Sequence, residues 1–294
     1  MTYKGVENLD GSLIVSDAVF VKNEKTKQEK EIWQKSRIKE KESKKTNSFD
    51  MLKIGGKKYK ALPEDEIQEY VNKLGKSLVP EYQKNLPDED ENKIPFRFVT
   101  VYEKDINASA YPTGMVIIHH DVFNYIENEA QLAFLLSHEI AHATQEHQVR
   151  ALNDRKKTRT WLKIGVIASY ALGYGLLART FAMTEQAMQA GYARSIENQS
   201  DRIGMANMIH YGYDPREAPR LWRVAAMIYG EDKTNFFWSD HSSRSERRSY
   251  LMLTLRNTYA NLNYSELKKD SVEFQKVAAM IREKYPSKRK KRRP

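Results

Sequence analysis

The chain of 294 residues contains no cysteine. That excludes disulfides, thiolate metal ligands and a cysteine nucleophile, so any metal must be held by histidine and carboxylate side chains. The absence suits a protein of the bacterial envelope. The N-terminus, Met-Thr-Tyr-Lys-Gly-Val-Glu-Asn-Leu-Asp, also lacks the basic stretch followed by an apolar stretch that marks a secretory leader. Either the protein is not exported or the sequence begins after a cleavage site. A full membrane span takes about 20 apolar residues. The uncharged run at 164–178 has only fifteen, three of them glycine. Three readings stay open for it: a helix buried or covering a groove, a contact with a membrane surface, and a span.

Hydrophobic residues make up 40% of the chain, enough for a sizeable core in one large or two ordinary domains. Six of the ten net positive charges lie in the unbroken run Lys288 to Arg293, leaving +4 for the rest. This tail is a solvated end or a contact for anionic lipid; nucleic acid is the weaker partner. Residues 22–45 hold ten Lys or Arg and five Asp or Glu, with Ile32, Trp33 and Ile38 the strongly apolar ones. Such a segment buries little surface by itself. We therefore expect a charged N-terminal arm over 1–60, one domain over 61–285 and a basic tail over 286–294.

Within that domain, Pro63 and the acidic turn after it predict a helix to about Val79, with Ile67, Tyr70, Val71, Leu74 and Leu78 at core spacing. From Pro95 the pattern changes to short runs typical of strands, Phe96 to Tyr102 and Met115 to His119, joined through Pro112-Thr-Gly114. Residues 129–152, without Gly or Pro, read as a helix with an apolar stripe of Leu132, Leu135, Leu136 and Ile140. Helices are expected almost throughout thereafter, at about 159–183, 186–211, 215–229, 243–260 and 265–284. The fold class is α+β, mostly α, with a small sheet before the central helix.

That helix carries Ser137-His138-Glu139-Ile140-Ala141-His142. Residues four apart share a helical face, so both imidazoles can meet one zinc ion while Glu139 sits beside the open coordination position. Two histidines leave zinc short of a third protein ligand. The best downstream candidate is Glu197, with Asp201 one turn on, able to accept a hydrogen bond from a ligand histidine. His147 reads as a surface residue.

At this point a family resemblance is visible. Glu197 with Asp201, then Arg-Ile-Gly and Gly212-Tyr-Asp-Pro215, resembles the gluzincin metallopeptidases that include BepA, HtpX, the mitochondrial Oma-type proteases and the CAAX prenyl endopeptidases. Asn107-Ala108-Ser109-Ala110 resembles that family's Asn-Ala-x-Ala motif, which implies a strand edge that pairs with extended substrate. His241 followed six residues later by Arg247 resembles its His-Pro segment, although Ser242 replaces the proline. Ser200 stands where alanine is common. The motifs span about 107–247 and do not reach the first 60 residues or the tail. The nearest likeness is the soluble BepA-type branch without its repeat domain.

The resemblance implies one zinc per chain, with His138, His142 and Glu197 as ligands and Glu139 as general base and acid. His241 is implied near the open position, as oxyanion stabiliser or as a fourth ligand at rest. Arg247 either pairs with a site carboxylate such as Asp201 or lies on the surface. The expected activity is cleavage of unfolded or extended protein segments, in the bacterial periplasm or at a membrane. A helical insertion at 159–190 would lie between the ligand-bearing helices and could cover the groove. The competing reading is an occluded metallopeptidase fold that serves as a chaperone or assembly factor.

Overall fold

The computed structural model describes residues 2–7, 13–19, 31, 52–54, 57–111, 113–147, 194–229 and 244–287. Two antiparallel hairpins come first, β1 (Thr2–Glu7) with β2 (Leu13–Val19) and β3 (Leu52–Ile54) with β4 (Lys57–Tyr59). Both fall in the stretch expected as a charged arm. The second belongs to the packed body, because Ile54 and Tyr59 are buried with Val99, Val101, Met115 and Ile117.

Helix α1 (Asp65–Ser77) opens with Asp65 and Glu66 and closes with Lys76, charges that complement the helix dipole. Its buried face is Ile67, Tyr70, Val71 and Leu74, the residues at core spacing. A short helix, α2 (Glu81–Lys84), leads into the sheet. Strands β5 (Arg97–Val101), β6 (Ala108–Ala110) and β7 (Met115–His119) lie in the order β5-β7-β6, with β5 parallel and β6 antiparallel to β7. The turn from β6 to β7 uses Gly114 at φ +87°, a conformation that favours glycine. Central β7 is apolar on both faces and wholly buried. The alternation of strand side chains sends Phe98, Val116 and Ile118 into the main core and Val99, Val101 and Ile117 toward the β3–β4 hairpin.

The sheet's two edges are treated differently. Beside β5, Tyr102 N–H donates to the Lys60 carbonyl (2.7 Å) and Leu62 N–H to the Thr100 carbonyl (3.0 Å). Gln68 bonds both backbone groups of Thr100 from the side. That edge is closed. The β6 edge faces the central helix.

The central helix, α3 (Glu129–Thr144), is buried from Glu129 through Ala143, as an element packed on all sides must be. It is shorter than the 129–152 read from the sequence. Glu146 takes a left-handed φ of +56°, which turns the chain out of the helix. After it come α4 (residues 194–210), α5 (Glu217–Tyr229), α6 (Arg244–Thr258) and α7 (Val272–Lys284). The helix expected at 159–183 lies outside the described residues. The helix expected from 265 starts only at Val272, because 267–271 is held extended. Lys268 N–H donates to the Gly212 carbonyl (2.8 Å), Asp214 N–H to the Lys268 carbonyl (2.9 Å), and Ala130 N–H to the Lys269 carbonyl (2.9 Å). Ser271 then caps α7 through the Phe274 amide. The architecture is α+β and dominated by helix.

These segments converge on the first turn of α3. Asn128 caps it by accepting from Gln131 N–H (3.0 Å). Glu217 in turn accepts from Asn128 and Gln131 (both 2.9 Å). Buried Glu129 accepts from Tyr70 (2.9 Å) and Tyr213 (2.8 Å), and also bonds Ser271 and Lys268. Burial works to raise the Glu129 pKa, but the donors Lys268, Ser271, Tyr213 and Tyr70 outweigh it and hold it below the usual 4.5. A carboxyl depressed on folding adds stability above its unfolded pKa, and that stability is lost as pH falls through the lower folded value. Glu129→Gln is therefore expected to lose about 1–3 kcal/mol near neutral pH and to show a shallower decline below pH 4.5 than the native chain. Denaturant unfolding at a series of pH values checks this, and parallel acid limbs would contradict it.

Candidate metal centre

Helices α3 and α4 approach closely at one point. A Cβ on Gly204 would lie 3.0 Å from the His138 backbone nitrogen and 3.1 Å from its Cα, so only glycine lets α4 pack there unchanged. One turn before Gly204 is Asp201, and one turn before that is Glu197. The short approach brings both carboxylates to the two histidines of α3.

His138, His142 and Glu197 form one cluster, each offering a donor atom within 4.8 Å of the others. The two Nε2 atoms are 3.0 Å apart, and each lies 3.4 Å from an oxygen of Glu197. Ligand atoms on a tetrahedral zinc, at about 2.0–2.1 Å from the ion, sit roughly 3.3 Å from one another. Two imidazoles and a carboxylate at that mutual spacing fit zinc, with a position left for water.

The groups behind the donors are equally ordered. His138 Nδ1 is 3.1 Å from Asp201 Oδ1. Arg247, wholly buried on α6, grips Asp201 with two bonds, Nε to Oδ2 (2.7 Å) and Nη2 to Oδ1 (2.6 Å). Its Nη1 is 2.9 Å from Glu197 Oε2, and its guanidinium stacks 3.7 Å from the centre of the Trp222 ring. Burial would raise the Asp201 pKa, yet the charge and hydrogen bonds of Arg247 hold it below the usual 3.8. Burial and Arg247 oppose protonation of His138. The bonds to Asp201 and Glu197 outweigh both and push it up to about 9.

Glu139 points toward the sheet, where Ala110 N–H donates to its Oε2 (2.8 Å). In the β6–β7 ladder, Asn107 and Tyr111 bond His119 and Met115. Alternation therefore turns the backbone groups of Ala108 and Ala110 to the outer edge. Asn107 and Ser109 bond each other through their side chains (3.4 Å). The structure thus brings together His138, Glu139, His142, Glu197, Asp201, Arg247 and the 107–110 strand. His241, the 159–190 insertion, the 164–178 run and the basic run from Lys288 lie outside the described residues.

One reading is overturned. His147 is buried, not on the surface, with Nδ1 3.2 Å from His142 Nδ1 and Nε2 3.1 Å from Gln199 Oε1. Helical periodicity could not place it, because the left-handed turn at Glu146 breaks the period just before it. Trp222 under Arg247 and the Ala110 amide on Glu139 were likewise missed. No local pattern marks a residue whose partner is distant in sequence.

The pattern of Peptidase family M48 matches residues 65–254. The beta-barrel assembly-enhancing protease of Escherichia coli (strain K12) is 33% identical over 160 residues, covering 52% of this chain and 31% of that protein. The same-named protein of Yersinia pestis is 32% identical over 167 residues, covering 54% and 33%. The mitochondrial metalloendopeptidase OMA1 of Arabidopsis thaliana is 25% identical over 158 residues, covering 54% and 31%. The matched part of the chain spans about a third of the length of these relatives.

Gly204→Ala is expected to destabilise the fold by about 1–3 kcal/mol and to shrink the thermal shift on zinc addition, because the new methyl pushes α4 away from His138. An unchanged zinc-dependent shift would contradict that geometry. Arg247→Ala leaves two buried carboxylates without their cation, so a loss of about 3–5 kcal/mol is expected in denaturant unfolding. Arg247→Lys should recover little of it, since a single ammonium cannot grip Asp201 and Glu197 together.

Proposed function

The chain belongs to peptidase family M48, and from that premise we propose that it is a zinc-dependent endopeptidase that cleaves unfolded or extended protein segments. The observation that carries the reading is the meeting of His138, His142 and Glu197 with Glu139 held beside them by the edge strand. Among the described residues no helix is long and apolar enough to cross a membrane. The relatives named for assembly of beta-barrels support work in the bacterial envelope, at the periplasm or a membrane face, in protein quality control.

Bound zinc would supply a Lewis acid that acidifies water and polarises a carbonyl, worth several kcal/mol in the transition state. The chain's own residues do the rest. Extended substrate adds to the outer edge of β6 through backbone hydrogen bonds, which read main chain rather than sequence. Because Ala110 holds the Glu139 carboxylate, a segment on that edge lies next to the base. Glu139 takes a proton from the attacking water and delivers it to the leaving amine. Asp201 accepts from His138 Nδ1–H and keeps the Nε2 lone pair on the metal side. Arg247 keeps Asp201 charged and holds Asp201 and Glu197 in place. His241, by resemblance, would stabilise the oxyanion of the tetrahedral intermediate or serve as a fourth ligand at rest.

Glu139→Gln is expected to slow cleavage of an unfolded reporter protein by about 10²–10⁴-fold while leaving one zinc per chain. Metal analysis and cleavage are measured on the same preparations. The proposal fails if the native chain carries no zinc, or if the variant cleaves as the native chain does.

A further inference from the structure

His138 has a carboxylate behind it; His142 has another histidine. His147 Nε2 is 3.1 Å from Gln199 Oε1, an oxygen that only accepts, so Nε2 carries the proton. A neutral imidazole protonated at Nε2 offers a lone pair at Nδ1. That lone pair lies 3.2 Å from His142 Nδ1 and 3.2 Å from the Ser200 hydroxyl, placed to accept from His142 Nδ1–H. The Nε2 lone pair of His142 is then the one turned to His138 and Glu197.

We propose that His147 is a positioning residue that fixes the tautomer and ring angle of His142 for the metal, through a relay that runs Gln199, His147, His142. The inference rests on the zinc reading of the site. Three features argue that the relay is built and not incidental. His147 is buried, and a buried imidazole needs both nitrogens bonded. A continued helix would rotate a residue five positions on well away from His142, yet the left-handed turn at Glu146 brings it back. Ser200, also buried, sets its Oγ 3.2 Å from the same His147 Nδ1, so that nitrogen is enclosed by polar atoms of both elements. One turn of α4 therefore serves both ligand rings, with Asp201 behind His138 and Gln199 and Ser200 around His147.

The test uses two nearly isosteric replacements. His147→Asn keeps an acceptor oxygen close to where Nδ1 stood, whereas His147→Leu fills the same space without one. Zinc affinity of the full chain is measured by chelator competition, with cobalt(II) absorption as a report on ligand geometry and thermal unfolding of the metal-free forms as a control. His147→Leu is expected to weaken zinc binding roughly 10–100-fold and shift the cobalt bands, with His147→Asn within a few fold of native. Equal zinc affinity in native and His147→Leu protein overturns the inference, and so does equal weakening in the two variants, which would mean packing alone. If His147→Leu does not fold, Gln199→Leu takes its place, with several-fold weaker zinc supporting the relay and native affinity overturning it. A native chain that binds no zinc would overturn the metal reading and this inference together; the other outcomes touch the inference alone.

Discussion

The buried guanidinium of Arg247 is the constraint on which the site depends. A cation with no exposed surface must be matched by anions close enough to repay its desolvation. Asp201 and Glu197 do so from α4, and the Trp222 ring covers the guanidinium from α5. Three helices are thereby tied at one point. The charge count is informative. Among the described residues the centre holds three carboxylates, Glu139, Glu197 and Asp201, against one guanidinium, a formal excess of two negative charges with neutral imidazoles. A divalent cation held among the three donor atoms would balance that excess. The raised proton affinity of His138 expresses the same excess.

Rigidity at the far end of α3 complements this. Glu129 and Glu217 gather Tyr70, Tyr213, Ser271, Asn128 and Gln131 around the helix start, and each bond crosses between elements distant in sequence. The helix that carries both histidines is thus held at its N-terminus by one polar network and near its C-terminal turn by another. The two imidazoles on such a helix have little freedom to shift relative to α4, where a methyl group at Gly204 would force the His138 backbone to give way.

Much of this was legible in the sequence, and the limits are physical. The pairs His138/His142 and Glu197/Asp201 are visible because helical neighbours share a face at fixed spacing, so chemistry is encoded locally. The core face of α1 follows from the same periodicity. The extended 267–271 segment was read as helix because its local pattern allowed one. Its backbone is claimed instead by Gly212, Asp214 and Ala130, partners that only the fold supplies. His147 was misplaced for a related reason: periodicity carries no warning of a non-glycine residue at positive φ. The β3–β4 hairpin was hidden among charges, since two buried side chains, Ile54 and Tyr59, suffice to dock a ribbon too short to show a pattern.

The edge strand meets the Glu139 carboxylate through a single atom, the Ala110 amide nitrogen. An amide on the outer edge of β6 would ordinarily be available to an added strand, but that of Ala110 is directed at Glu139. The position of the Glu139 carboxylate is consequently set by the backbone of β6, and not by a side chain that could rotate independently. A segment paired along β6 would be measured from the same backbone as the carboxylate, so displacement of the strand would move both together. Closure of the opposite sheet edge by Leu62, Lys60 and Gln68 leaves β6 as the edge of this sheet beside α3. The outer-edge position of β6 in the sheet and the placement of the Glu139 carboxylate are then two results of one strand order, β5-β7-β6.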